Sequence, residues 1–155
     1  MELEGKWRSR ERGVGARSGA AGCFAFGVEG LAVGVAAFFP PSEFLRRYGE
    51  EVRLAEPGAP PEVGAVYVRP EWQARGVGLA VARCVLEELG KRGTVRFCLD
   101  AGLPPAPDDW RHRLGPPDHV LADFWGPGAG HGIWISKVAR ALARTPPRDT
   151  GPDFA

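Results

Sequence analysis

The chain has 155 residues, 44% of them hydrophobic, and Lys+Arg 20 against Asp+Glu 19 give a formal net charge of +1. That is one domain's worth of chain with enough apolar content to bury a core, and the near-neutral balance supplies no global field toward nucleic acid or an anionic membrane, so neither is expected as a partner. The sequence holds no apolar run long enough to span a bilayer, and the opening MELEGKWRSRERG has no apolar segment behind its charges. Neither a membrane span nor a secretory leader is predicted, and a cytoplasmic location is expected.

Residues 1–22, rich in Arg, Gly and Ser, carry neither strand nor helix periodicity and are read as a flexible or abbreviated N-terminal segment. CFAFGV and LAVGVAAFF, joined by Glu29-Gly30, predict a hairpin whose Gly takes positive φ. PPSEFLRRYGEE predicts a short helix from about Pro41 or Ser42, AEPGAPPE a loop, and VGAVYV a strand over 63–68 that Pro70 stops. From Gly76 onward, Val77, Val81, Cys84, Val85 and Leu89 recur at three- and four-residue spacing, with Arg83, Glu87, Glu88, Lys91 and Arg92 on the other face. This spacing predicts an amphipathic helix, supported by Glu87 with Lys91 and Glu88 with Arg92, and ended by Gly93.

TVRFCLD predicts a strand over 94–100 and completes a βαβ unit, which requires parallel neighbours. After AGLPPAP, Asp108 is placed to cap a short helix through DDWRHRL that Gly115 closes. HVLADFW and GIWISKV predict a last hairpin, and residues 139–155 a disordered tail. The expected architecture is therefore one mixed α/β domain over 23–138, with a mostly antiparallel sheet and one parallel βαβ unit. Cys23, Cys84 and Cys98 sit far apart in apolar settings and are read as buried, reduced packing residues; no Cys/His spacing suggests a metal.

The chemistry concentrates in QARGVGLAVARCVLEELG. Read alone, GVG is a helix start with glycines for tight packing. A dinucleotide site, with Asp100 as the ribose acid, fails because residues 69–75 intervene between strand and first glycine; a Walker loop fails because no Lys-Ser/Thr follows. A third reading takes the strand, Val68-x-Pro70, Gln73-x-x-Gly76-x-Gly78 and the helix together as a diphosphate cradle at the positive end of a helix dipole.

That segment, VYVRPEWQARGVGLAVARCVLEELGKRG, resembles the acetyl-CoA-binding segment of the GNAT superfamily of N-acetyltransferases, and the wider order of elements resembles the family over about three quarters of the chain. The resemblance implies that main-chain groups of Val66, Tyr67 and Val68 hold the pantetheine arm. It implies further that Gln73, Ala74, Arg75, Gly76, Val77, Gly78 and Leu79 form the loop whose amides hold the pyrophosphate. Arg69, Arg75 and Arg83 are candidates for the terminal phosphate. Glu62 is expected as the carboxylate base, directly or through water.

Three departures accompany the resemblance. The family's usual Tyr acid falls on Arg111 when counted back from Gly115, with His112 the expected substitute and His119 a nearby alternative. Pro104 and Pro105 stand where an Asn is common, and only about twenty residues precede Cys23, fewer than the family's usual opening elements. Trp110, Phe124 and Trp134 are expected in the core, and Trp125 beside a cleft. The implied activity is acetyl transfer from acetyl-CoA, as cosubstrate and without metal, to a primary amine of a small molecule or peptide by direct attack. The alternative is a non-catalytic CoA-binding or interaction module, and an uncovered sheet would suit a homodimer.

Overall fold

The computed structural model describes residues 8–10 and 21–145. Strand β1 (Arg8–Arg10) pairs antiparallel with β2 (Gly22–Val28), which turns through Glu29-Gly30 into β3 (Leu31–Phe39). Both turn residues are left-handed, at φ 48° and 81°, the twist a two-residue hairpin loop requires. Helix α1 (Glu43–Tyr48) starts at Ser42, whose hydroxyl accepts the Leu45 amide, and a single helical turn, Glu50–Val52, follows.

Strand β4 (Glu62–Val68) leads through the turn Pro70–Trp72 into helix α2 (Val77–Lys91) and strand β5 (Arg96–Ala101). Gly93, left-handed at φ 75°, ends α2 as its position suggests. Arg92 bridges Glu88 at 2.8 Å, whereas Glu87 is drawn to Arg83 at 2.8 Å. Helix α3 (Ala106–Leu114), strands β6 (His119–Leu121) and β7 (His131–Lys137), and helix α4 (Val138–Ala143) are the remaining described elements.

The strand order is β1-β2-β3-β4-β5-β7-β6, antiparallel throughout except for the β4–β5 pair. Alternation divides the sheet into two faces. Phe38, Val63, Phe97, Leu99 and Trp134 join Val81, Val85, Leu86 and Leu89 of α2, Leu114 of α3 and Val138 and Ala141 of α4 in the main core. Each large side chain fully buried there contributes roughly 1.5–3 kcal/mol relative to exposure. On the opposite face Cys98 and Ile133 pack with Leu45 and Leu54 in a smaller cluster beneath α1. No helix among the described residues is long and apolar enough to cross a membrane.

Several local expectations are corrected. The segment 1–22 contains β1, and β2 already begins at Gly22; its residues 1–7 and 11–20 lie outside the described ones. The tail expected from 139 is occupied through Ala143 by α4, and residues 146–155 lie outside the described ones. Asp108 does not cap α3: the helix begins earlier, where the Pro105 carbonyl accepts the Asp108 and Asp109 amides at 3.1 and 3.2 Å. Cys23 is exposed because it faces away from the helices while Phe24 faces α2.

Candidate active site

Strands β4 and β5 share one register pair, Glu62↔Cys98, anchored by the Cys98 amide on the Pro61 carbonyl at 2.9 Å. Past that pair the two parallel strands part. On its other side β4 shifts register against β3 between Val35 and Ala37, and Ala65 is left-handed at φ 51°, the signature of a bulge that bends its strand. The Arg69 amide donates to the Val33 carbonyl at 2.9 Å. Antiparallel alternation then turns the Tyr67 main chain toward Val35 and leaves the polar main-chain groups of Val66 and Val68 facing the open wedge. The Val68 carbonyl accepts the Gln73 side-chain amide at 3.2 Å, and the Tyr67 ring is 70% exposed.

Gln73, Ala74, Arg75 and Gly76 join the wedge to α2. Ala74 and Gly76 are left-handed, at φ 57° and 80°, so the loop curls back and delivers the chain to the helix start. Among the described residues no side chain caps that end, and the first bond within the helix is from the Ala80 amide to the Gly76 carbonyl. The amides of Val77, Gly78 and Leu79 therefore point out of the helix end at the positive pole of its dipole. Two glycines seat this end on the sheet. A Cβ on Gly34 would lie 2.5 Å from Val77 Cγ1, and one on Gly78 3.3 Å from Val68 Cγ2.

The arginines divide. Arg75 lies over the Trp72 ring beside this loop, and Arg69 bonds the Ala32 carbonyl at 2.8 Å. Arg83 is tied to Glu87 and to the carbonyls of Leu142 and Thr145, so it is drawn away from the loop toward the end of α4.

Glu62 is only 6% exposed and opens β4 on the α1 side of the sheet. Its Oε2 accepts the Ser42 amide at 2.8 Å, and its Oε1 lies over Gly64, where a Cβ would approach it to 3.3 Å. Ser136 Oγ is the sole fully enclosed side-chain polar atom without a partner among the described residues, so Glu62 Oε1, which also has no partner there, keeps contact with solvent. Burial pushes the Glu62 carboxyl above the ordinary value of 4.5, the Ser42 hydrogen bonds pull against it, and the charge of Asp100 adds to the push.

Cys98 stands between these two acids in sequence position. Burial first, then Glu62 and Asp100, push its thiol up to about 12, and its Sγ points at the Pro60 and Pro61 carbonyls at 3.4 and 3.5 Å. At neutral pH it is a thiol, not a nucleophile.

His112 is exposed on α3, and Arg111 is exposed beside it. No hydrogen bond or ion pair links either to Glu62 among the described residues. His119 pairs with Glu51 at 3.1 Å. The histidine that does reach the wedge is His131. Its Nε2 meets Asp100 Oδ2 at 2.6 Å, and the Trp125 indole N–H donates to its Nδ1 at 3.0 Å. Asp100 is the first α1-side residue of β5 past the last β4 pair, and Ala101↔Gly132 pairing sets His131 next to it. Nothing local announces this contact. The last strand, expected from Gly132, begins one residue earlier at His131.

Phe44 and Phe124 pack against His131, Phe124 against Trp125, and Tyr48 behind Phe44 and Phe124, with ring centroids 4.9–5.9 Å apart in edge-on or tilted pairs. Trp134 is buried and Trp110 partly buried in the main core. Phe124 departs from expectation because β6 stops at Leu121; Asp123, left-handed at φ 52°, turns the chain, and its carboxylate accepts the Gly128 amide at 2.6 Å. A separate groove of about 670 Å³, lined by Pro41, Arg46, Leu54, Arg92 and Thr94, lies where β3 ends and β5 begins, away from the wedge.

Neither a family model nor a curated protein matches the sequence. Solved structures do match the architecture. A Desulfovibrio desulfuricans protein described as an acetyltransferase of the GNAT family superposes with TM-score 0.56 at 18% identity, over 76% of this chain and 69% of that one. A ribosomal-protein-alanine N-acetyltransferase from Brucella melitensis gives 0.54 at 18%, over 76% and 68%. A Salmonella typhimurium protein described as an acetyltransferase, solved with its cofactor acetyl-CoA, gives 0.55 at 18%, over 76% and 65%.

The chain has the GNAT fold. The mixed sheet with one parallel βαβ pair, expected from the sequence, is thus the acyl-CoA N-acyltransferase architecture.

Proposed function

We propose that the protein is an acetyl-CoA-dependent N-acetyltransferase. The observation that carries this reading is the junction of three features: a parallel strand pair that parts after one register position, an uncapped helix start at the far end of the wedge, and a buried carboxylate at its apex. The main-chain edge at Val66 and Val68, with Tyr67 between them and the Val68 carbonyl already accepting from Gln73, fits a strand-like pantetheine arm. The loop Gln73, Ala74, Arg75 and Gly76 with the amides of Val77, Gly78 and Leu79 fits a diphosphate, because left-handed Ala74 and Gly76 bring main-chain donors forward. The likeness of fold to a Salmonella typhimurium protein solved with its cofactor acetyl-CoA supports the cosubstrate.

Bound there, acetyl-CoA supplies an activated thioester. Glu62 is the base: its carboxylate takes one proton from the acceptor's ammonium, and burial gives it the raised basicity the task needs. The freed lone pair makes the C–N bond as the C–S bond breaks toward sulfur, and the second amine proton leaves with the thiolate. A thiol of pKa about 8.5 needs little help as a leaving group, so Arg111 in place of a Tyr does not stop the reaction. Direct attack is favoured over an acetyl-enzyme because Cys98 stays protonated. The acceptor is a primary amine of a small molecule or peptide.

Exposed Arg111 also favours a second reading, a CoA-binding module without turnover. Calorimetric titration of acetyl-CoA and CoA into the wild type and Gly76→Asp, followed by a thiol-release assay over an amine panel, separates them. Binding lost in Gly76→Asp with amine-dependent thiol release supports the transferase. Binding without release from any amine supports the module, and no binding by the wild type removes both.

A further inference from the structure

We propose that Asp100, oriented by His131 and Trp125, docks the ammonium group of the acceptor, which is therefore an alkylammonium amine with an apolar stem. The proposal rests on the transferase reading above and names its second substrate.

The geometry is specific. Indole N–H can only donate, so with Trp125 on Nδ1 at 3.0 Å, His131 must accept there and carry its proton on Nε2. That proton is directed at Asp100 Oδ2 at 2.6 Å. The result is a one-way chain of donors ending on one oxygen of one carboxylate. His131 is 7% exposed at its side chain and Asp100 24%, so the chain is enclosed at the histidine and open at the acid. Asp100 Oδ1 has no partner among the described residues, and like Glu62 Oε1 it is not fully enclosed.

The backbone is fitted around this relay. A Cβ on Gly102 would lie 2.1 Å from Trp125 Nε1 and 2.2 Å from His131 Nδ1; glycine there lets the main chain run against the Trp125–His131 bond. Trp125 is fixed independently, since its amide donates to the Ala129 carbonyl at 2.9 Å within the turn that Asp123 closes.

The two acids then differ in role. Glu62 Oε1 lies over Gly64 on the β4 side of the wedge, and Asp100 stands on the β5 side of the same face. One removes a proton from the amine; the other, held by His131, receives the cationic nitrogen and fixes it before deprotonation. Phe124 and Trp125, 36% and 50% exposed, stand against His131 with ring centroids 5.5 and 5.9 Å away and supply an apolar wall for the stem. Amines that are neutral in water gain no charge-assisted bond from Asp100.

The test uses 2-phenylethylamine and its uncharged analogue 2-phenylethanol, titrated calorimetrically into the full chain saturated with CoA. Acetyl-CoA affinity is measured in parallel on every variant. The amine is expected to bind, the alcohol to bind at least about tenfold more weakly, and Asp100→Asn to lose about tenfold or more in amine affinity with acetyl-CoA affinity unchanged. Trp125→Phe and Gly102→Ala, which leave Asp100 in place, are expected to weaken the amine by a smaller factor; in the wild type, nitrogen NMR should find His131 as the Nε2–H tautomer. Equal amine affinity in Asp100→Asn and wild type, equal affinity for amine and alcohol, or no amine binding to the CoA-loaded wild type overturns the proposal while leaving the transferase reading intact. Failure of the wild type to bind acetyl-CoA overturns both. Should Asp100→Asn not fold, Trp125→Phe decides: unchanged amine affinity there overturns the assignment.

Discussion

Burial and the Ser42 amide pull Glu62 in opposite directions, and burial wins. Two outcomes follow for Glu62→Gln, which keeps shape and loses the base. Turnover should fall by about a hundredfold or more while acetyl-CoA affinity changes by less than about twofold; loss of both together would mean a structural residue instead. In the wild type, kcat/KM should rise with pH along a limb whose midpoint lies above 4.5. The stability sign is the reverse of a paired acid: with its folded pKa raised, Glu62 favours the native state most when protonated, and that contribution is lost as pH rises from the unfolded value through the folded one. Glu62→Gln should therefore melt no lower than wild type at neutral pH, and a few degrees of gain would correspond to about 1 kcal/mol at this size. Cys98 makes the complementary case. Cys98→Ser keeps a donor for the Pro60 and Pro61 carbonyls and should retain activity within about threefold, its small loss reflecting a buried hydroxyl. A dead Cys98→Ser together with an acetylated wild-type protein in the mass spectrometer would replace direct attack by a covalent route.

Helix α2 is the element on which the reading turns, and its position depends on a glycine it does not contain. Gly34 of β3 lies under the first turn, with no room for a methyl group against Val77. Gly34→Ala should cost about 1–3 kcal/mol as overpacking, measured by denaturant unfolding, and should weaken acetyl-CoA more than it weakens the fold because the helix start moves off the wedge. Unchanged affinity in a destabilised variant would show that the helix end is not the phosphate site. The elements themselves were legible where periodicity and turn chemistry act locally: the β2–β3 hairpin at Glu29-Gly30, α2 and its stop at Gly93, and the strand that Pro70 ends. The departures arise where tertiary pairing decides. Strand β1 exists by pairing with Cys23, Phe24 and Ala25, and β6 stops at Leu121 because Asp123 enters a left-handed turn. The Asp100–His131 contact joins strands that are neighbours only because β7 inserts between β5 and β6, a fact that local pattern does not contain. Glu62 was approached through resemblance, and its environment comes from α1, whose Ser42 amide no spacing rule connects to it.

At the scale of the whole molecule, the described residues cover the sheet unequally. Helices α2, α3 and α4 share one core on one face, whereas α1 and the loop carrying Trp125 cover only the β5–β7 end of the other. The wedge lies at the boundary between the covered and the open part, and β4 and β5 are joined across it by one register pair and by the packing of α2. A ligand bridging the gap would connect the β1–β4 half of the sheet to the β5–β7 half, adding to native stability without adding to that of the unfolded chain. At a concentration of one hundred times its Kd, acetyl-CoA should contribute about 2.7 kcal/mol, raising Tm by roughly 5–10 °C for a chain of this length. Gly76→Asp, which sets a side chain and a negative charge at the left-handed start of α2, should unfold at its own temperature and show no shift. Hydrogen exchange should place the added protection in β4, the start of α2 and β5, because those are the segments the ligand joins. Protection confined instead to the residues around Arg46, Leu54 and Arg92 would move the binding site to the groove at the other end of the sheet, and with it the chemistry assigned to Glu62.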